Sequence, residues 1–437
     1  MVTPMSDTMQ TFRNPSDRPR VSVIMANWQG ERFISDAIAS VLAQSMGDLE
    51  VLVADDASTD RSTALVQEMA DRDSRVHLLA TEVNGGPSAA RNRALAAARG
   101  EWIAVMDSDD VLHPRRLELL LEAATRHEAD LVADDMAAFG DGPGLGGWTL
   151  LGVLGLRDVL TVSPAYFVDC NGTDRTLPQL GYLKPLIRRS ALGGIRYDPR
   201  IRVGEDYDLY LRLLLQGARF CILPLPLYLY RRHATSLSHR LSVKVLEPLL
   251  DAHNELVRSQ PTDSELGRAL AQRSRMLERS LRYERLVAAI KARAVGPSAG
   301  LVLRDPFLLR LLARSLTERW TRPTNPGERS ASASLRVALV PEGRDVGTEG
   351  TYDEVLTVWP LGPDRLDDAP RIQALVCRLT ELASNSPIDV TAVGLAGLDC
   401  VGLVPNPDLS QVILTEAEAE RLPTLLPART RLTVVRS

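Results

Sequence analysis

A chain of 437 residues, 45% hydrophobic and 24% charged, is long enough for roughly three domains and too apolar to be disordered throughout. Its net charge of −5 excludes a general polyanion binder, so no nucleic-acid partner is expected. The four cysteines, Cys170, Cys221, Cys377 and Cys400, show no CxxC spacing, which argues against a disulfide scaffold or a cysteine zinc site and fits a reducing compartment. The start of the chain lacks the apolar core of a secretory signal. The longest uncharged stretch, between Asp141 and Arg157, is Gly-rich and shorter than the ~20 residues of a spanning helix. The expectation is a cytoplasmic protein, soluble or peripheral on the inner face of a membrane.

Residues 1–19 are polar, carry Pro4, Pro15 and Pro19, and read as a flexible arm. From Arg20 the pattern changes. Val21 to Ala26 is a short apolar run that suits a buried strand, and Phe33, Ile34, Ala37, Ile38, Val41 and Leu42 recur at helical spacing. Leu49 to Ala54, Arg75 to Ala80 and Glu101 to Met106 predict three more strands. Helices are predicted between and after them, over Ser58 to Ala70, Pro87 to Ala98 and Pro114 to His127, and a fifth strand over Asp130 to Ala133. This alternation predicts a parallel α/β sheet covered on both faces, with chemistry at the carboxyl ends of its strands. Residues 135–200 are irregular. A helix over Glu205 to Gln216 and a strand over Arg219 to Leu223 follow, then long helical patterns to about Thr321. Residues 322–334 are rich in Pro, Ser and Gly and read as a linker. Beyond it, residues 335–437 hold short strands and one helix, Arg371 to Ala383, and read as a separate small α/β domain.

Two of the loops at strand ends are carboxylate clusters. Asp107-Ser108-Asp109-Asp110 follows a predicted strand, and two acids one residue apart can converge on a hard cation such as Mg²⁺ or Mn²⁺, with substrate phosphates completing the shell. The same acids also suit a turn or a helix cap. Asp55-Asp56-Ala57-Ser58-Thr59-Asp60 closes another strand. Ser58 or Thr59 can cap the next helix, whereas two adjacent acids at a buried strand end are costly unless paired or used. Gly85-Gly86-Pro87 opens a helix whose N-terminus can accept phosphate, and Arg91 in that helix suits either a phosphate or a salt bridge. That motif is neither a GxGxxG nor a Walker A loop. Glu205-Asp206 starts a helix, as dipole partners or as a general base. The dense stretch Tyr230 to Arg240 contains His233, a metal ligand or a structural imidazole, among arginines.

Six segments occur in the order and spacing of family 2 glycosyltransferases: Val21–Asn27, Asp55-Asp56-Ala-Ser58-Thr59-Asp60, Gly86-Pro87-Ser88-Ala89-Ala90-Arg91-Asn92, Asp107-Ser108-Asp109-Asp110, Gly204-Glu205-Asp206-Tyr-Asp208 and Arg231-x-His233-x-x-Ser236. The resemblance covers residues 20 to about 240. Within the family the chain most resembles bacterial exopolysaccharide transferases of the succinoglycan kind, including the stretch Leu180 to Pro185. It implies a GT-A (Rossmann-like) catalytic domain over 20–240; the helical region over 241–321, the linker and the small C-terminal domain do not follow the family core. It also implies an inverting transfer from a nucleotide-diphospho sugar, with Mg²⁺ or Mn²⁺, to a saccharide or lipid-linked saccharide acceptor. Carried over by position, Asp56 would bind the nucleotide base, and Ala26 and Asn27 would line the same pocket. Asp107 would face ribose and metal, Asp109 and His233 would hold the metal, and Arg91, Lys184 and Glu205 would contact the nucleotide sugar. Asp206 would be the general base. The segment Asp305 to Arg314 is amphipathic and suits either a membrane surface or packing on the catalytic domain. The competing readings are a sugar-phosphate nucleotidyltransferase, which usually carries an early Gly-rich basic loop absent here, and a non-catalytic carbohydrate-binding protein.

Overall fold

The computed structural model describes residues 18–140, 146–172, 176–233, 242–320, 334–344, 351–404, 407–419 and 430–435. In chain order the first part contains β1 (Val21–Asn27), α1 (Ile34–Leu42), β2 (Leu49–Asp55), α2 (Ser62–Arg72), β3 (Val76–Leu78), α3 (Pro87–Ala97), β4 (Trp102–Asp107), β5 (Val111–Leu112) and α4 (Arg116–Arg126). It continues with β6 (Leu131–Gly140), β7 (Trp148–Thr149), β8 (Leu160–Val162), α5 (Pro164–Cys170), β9 (Leu186–Arg188), α6 (Arg189–Leu192), α7 (Glu205–Leu215) and β10 (Phe220–Arg232). A helical stretch follows: α8 (Val243–Arg258), α9 (Glu265–Lys291), α10 (Val295–Arg304) and α11 (Phe307–Trp320). The last part holds β11 (Leu335–Pro341), β12 (Glu354–Val358), α12 (Ala369–Asn385), β13 (Ile388–Val393), α13 (Gly394–Val401), β14 (Asp408–Thr415), α14 (Glu416–Ala419) and β15 (Arg431–Val435).

The first sheet runs β3-β2-β1-β4-β9-β6-β10-β5, with β7 beside β6 and β8 beside β10. Its β3-β2-β1-β4 half is parallel, as the alternating pattern predicts. The whole sheet is not. β9 lies antiparallel between β4 and β6, and β5 and β8 run antiparallel to β10. Strands β6 and β10 are also far longer than the short runs expected: all ten residues of β6, Asp134 and Asp135 included, and eleven of the thirteen of β10 are buried. Every residue of β2 is buried, and β1 buries all but Ala26. At roughly 1.5–3 kcal/mol for each large apolar side chain removed from water, these two strands anchor the sheet.

The second sheet is all parallel, in the order β12-β11-β13-β14-β15. It does not stand apart from the first. Helix α12 packs on β6 and β10, and one continuous apolar core joins both sheets. The expected arm lies outside the described residues up to position 17, and the expected linker does so through position 333.

Candidate active site

The strand ends expected to carry chemistry meet at one edge of the first sheet. At the end of β1, Asn27 donates from Nδ2 to Asp55 Oδ2 at 2.7 Å, and the Asp56 amide donates to the Asn27 carbonyl at 2.9 Å. Ala26 is in register with Asp107. Ser58 and Thr59 do not cap α2, which starts at Ser62, whereas Asp60 sits at its N-terminus and accepts the Ser62 amide at 3.0 Å. Ser58 and Asp60 also rivet two loops together: the Gln29 amide donates to Ser58 Oγ at 2.9 Å and the Glu31 amide to Asp60 Oδ2 at 3.0 Å. Asp56 is 3% exposed, and its carboxylate accepts the amides of Gly85 (3.0 Å) and Gly86 (2.7 Å) at the start of α3. The helix end that the sequence offered to phosphate is therefore met by the protein's own carboxylate. Gly86 has φ +85°, a conformation a side chain would strain, which lets the chain turn over Asp56 into the helix.

Beside this lies a buried ionic network. Arg91 on α3 donates to Asp107 Oδ1 at 2.7 Å and to Glu205 Oε1 at 2.6 Å. Lys184 Nζ reaches Asp107 Oδ2 at 2.9 Å and Asp206 Oδ2 at 2.7 Å. Three carboxylates thus share two cations at the end of β4 and the start of α7. Burial would raise the Asp107 carboxyl, but Lys184 and Arg91 outweigh it and hold it at about 2. For Lys184, burial works against the charge, yet Asp107 and Asp206 prevail and raise its pKa. Glu205 goes the other way: burial, with Asp206 beside it, outweighs Arg91 and lifts its carboxyl.

The acidic loop after β4 divides its labour. Asp109 Oδ2 lies 2.8 Å from His233 Nε2, and the Asp109 carbonyl accepts from Arg231 Nε at 2.7 Å. Asp110 turns inward, accepting from the Tyr228 hydroxyl at 2.5 Å and the Arg231 amide at 2.7 Å. Burial and its acidic neighbours push the Asp110 carboxyl well up. The described residues contain no cluster of three or more His, Cys, Asp or Glu suited to a metal. Asp109 and His233 do offer one carboxylate and one imidazole side by side, a pair that suits Mg²⁺ or Mn²⁺ when phosphate oxygens complete the shell.

The structure therefore groups Arg91, Asp107, Lys184, Glu205 and Asp206 in one network and Asp109 with His233 in another, while Asn27 and Asp56 sit in the loop framework. Ser236 of the quoted motif lies outside the described residues. Sequence reasoning named Asp110 in the acidic loop without a role; it missed Tyr228, which locks that loop onto β10 through Asp110, and Tyr197, whose ring lies 5.6 Å from the Arg91 guanidinium. Tyr197 and Tyr228 sit in irregular or fully apolar stretches whose periodicity does not mark them.

A mixed sheet with an Asp-x-Asp loop at the end of β4 and an acidic helix start facing it has the make-up of a GT-A domain. Residues 22–177 match the family model described as Glycosyl transferase family 2. The succinoglycan biosynthesis protein ExoO of Rhizobium meliloti (strain 1021) is 32% identical over 338 residues, 76% of this chain and 96% of that protein. ExoU of the same organism is 30% identical over 334 residues, 74% of this chain and 94% of that protein. Among solved structures, S. aureus TarS 1–349 in complex with UDP-GlcNAc matches with a TM-score of 0.46 and 18% identity, covering 66% of this chain and 92% of that one. The mannosyltransferase PcManGT from Pyrobaculum calidifontis, in complex with GDP-Man and Mn²⁺, matches with a TM-score of 0.41 and 17% identity, over 70% of this chain and 88% of that one. The chain belongs to glycosyl transferase family 2. It is a glycosyltransferase, which sets aside the nucleotidyltransferase and the non-catalytic binding protein.

Proposed function

We propose that this enzyme transfers a sugar, with inversion, from a UDP-sugar to a hydroxyl of a lipid-linked saccharide during exopolysaccharide assembly. The observation that carries the reading is the placement of Asp206 at the start of α7, joined through Lys184 to Asp107 at the end of β4. That link supports reading Asp206 as the base for a donor held at Asp107. Asp206 takes the proton of the acceptor hydroxyl as that oxygen attacks the anomeric carbon, and the nucleoside diphosphate leaves from the opposite face. A single displacement of this kind inverts the centre. Asn27 and Asp56 frame the nucleotide pocket, and Arg91 orients Asp107 and Glu205. Asp109 and His233 would hold the divalent cation; Asp107 joins them only by sharing an oxygen with Arg91 or Lys184, for which its lone pairs suffice. When bound, the cation supplies Lewis-acid stabilisation of the leaving diphosphate.

The names of the two relatives favour exopolysaccharide assembly over other polymer pathways. No described helix is long and apolar enough to cross a membrane. A lipid-linked acceptor at a membrane surface is favoured by the corner between α10 and α11, where Leu303 is 81% exposed and Phe307 and Leu309 are also exposed, with Arg304 and Arg310 beside them. The test is transfer from a panel of UDP-sugars to a lipid-linked acceptor extract, with Mg²⁺ or Mn²⁺. Asp206→Asn is expected to cut turnover by about 1,000-fold while UDP affinity stays within about threefold, since only the transition state loses an interaction. Equal losses in both would remove Asp206 from the base role.

A further inference from the structure

Lys184 is the residue whose surroundings fit its expected role least. A lysine kept for a phosphate holds its ammonium toward the ligand. Here the ammonium is spent on two carboxylates, Asp107 and Asp206, and the residue is 7% exposed. Its backbone is pinned as well. The Lys184 carbonyl accepts from Arg116 Nη2 at 2.5 Å, and Arg116 is fully buried and paired with Asp134 through two nitrogens. The next residue, Pro185, accepts the Val105 amide at 3.3 Å, which ties the segment to β4. A side chain rooted this firmly behaves as a strut. Arg91 is a second strut across the same gap, from Asp107 to Glu205. Asp206 Oδ1, the oxygen Lys184 does not hold, is buried and meets no hydrogen-bond donor, and the Tyr197 hydroxyl faces the Asp206 side chain.

We propose that Lys184 is a positioning residue: it fixes the Asp206 carboxylate against Asp107, so that the acceptor side and the donor side of the reaction are set at one distance, and it is not a ligand of the diphosphate. This rests on the reading of Asp206 as the base. Catalysis is steep in such placement, since a shift of about 1 Å can cost about 100-fold in rate. A diphosphate ligand would instead act mainly on donor affinity.

The two roles separate in kinetics. In full-length enzyme, Lys184→Gln is expected to lower kcat about 100-fold while donor KM and the Kd for UDP stay within about threefold. Lys184→Arg, which can still span two carboxylates, should recover at least about tenfold of that loss. In the Asp206→Asn background, Lys184→Gln should cost less than about twofold more, because nothing remains to be positioned. Should the Gln variant melt at assay temperature, Lys184→Met keeps the apolar stem and carries the same expectations. A tenfold or larger rise in UDP Kd with kcat intact would overturn the proposal in favour of a diphosphate ligand, and additive losses in the double variant would overturn it too. Retained turnover in Asp206→Asn alone sinks the base reading, and this proposal with it. Loss in Asp206→Asn with full turnover in Lys184→Gln sinks the strut alone.

Discussion

A β-carbon placed on Gly30 would fall 2.1 Å from Asn27 Oδ1. Gly30 is therefore small because Asn27 needs the space, and Asn27 in turn holds Asp55. Gly30→Ala is expected to drive Asn27 out of this position and weaken UDP binding by about tenfold, the effect of losing about 1.4 kcal/mol. Isothermal titration of UDP is the check, and unchanged affinity would remove Asn27 from the nucleotide pocket. The acidic pair shows what one sequence conveys at this scale. That two adjacent acids at a buried strand end must be partnered was readable from Asp55-Asp56. Which partners they take was not. Asp55 turns to Asn27 and Ser58, and Asp56 reaches Gly85 and Gly86, about thirty residues away. Burial is a property of composition and neighbours along the chain, whereas the partner depends on how β2 and α3 are brought together.

At the scale of elements, β9 decides how the site is assembled. An antiparallel strand presents its beginning where its parallel neighbours present their ends, so Lys184, two residues before β9, arrives beside Asp107 at the end of β4. A parallel strand there would have delivered its far end instead. The alternating apolar runs made the parallel half of the sheet legible, but a three-residue strand, Leu186–Arg188, inside an irregular stretch carries no period to read. The seat of β9 is secured by the buried Arg116–Asp134 pair, whose arginine also holds the Lys184 carbonyl. Arg116→Met leaves Asp134 buried without a cation and is expected to cost about 3–5 kcal/mol of stability. Denaturant unfolding measures this. A loss below about 1 kcal/mol would show that Asp134 finds other partners.

At the scale of the whole molecule, the described residues of the C-terminal sheet and its helices pack onto the first sheet. Gln373 on α12 donates to Asp135 on β6 at 2.9 Å, and Arg115 pairs with Asp399 at 2.7 Å. Burial pushes the Asp135 carboxyl up to about 7, against the amides of Leu151 and Met136 that favour its charge. A carboxyl raised in the folded state is more protonated there than in the unfolded chain between about pH 4 and 7. Stability should therefore fall as pH rises through that window and level off above it. The drop is about 4 kcal/mol at most. Asp135→Asn cannot ionise, so its unfolding free energy should lack this fall once the other groups' pH dependence is subtracted. Equal slopes for variant and parent from pH 4 to 7 would show that Asp135 titrates normally.

The close approach of the two halves runs in both directions. A β-carbon on Gly146 would meet the Thr380 carbonyl at 2.5 Å, and one on Gly402 would meet Pro114 at 2.5 Å. Each half thus lacks a side chain where the other half's backbone or side chain stands. At these two points the surfaces are fitted by missing atoms, which leaves little slack for a substitute partner. Grafting the C-terminal sheet from a relative onto this catalytic sheet would require the matching gaps to travel with it, and the two halves are bound to change in step.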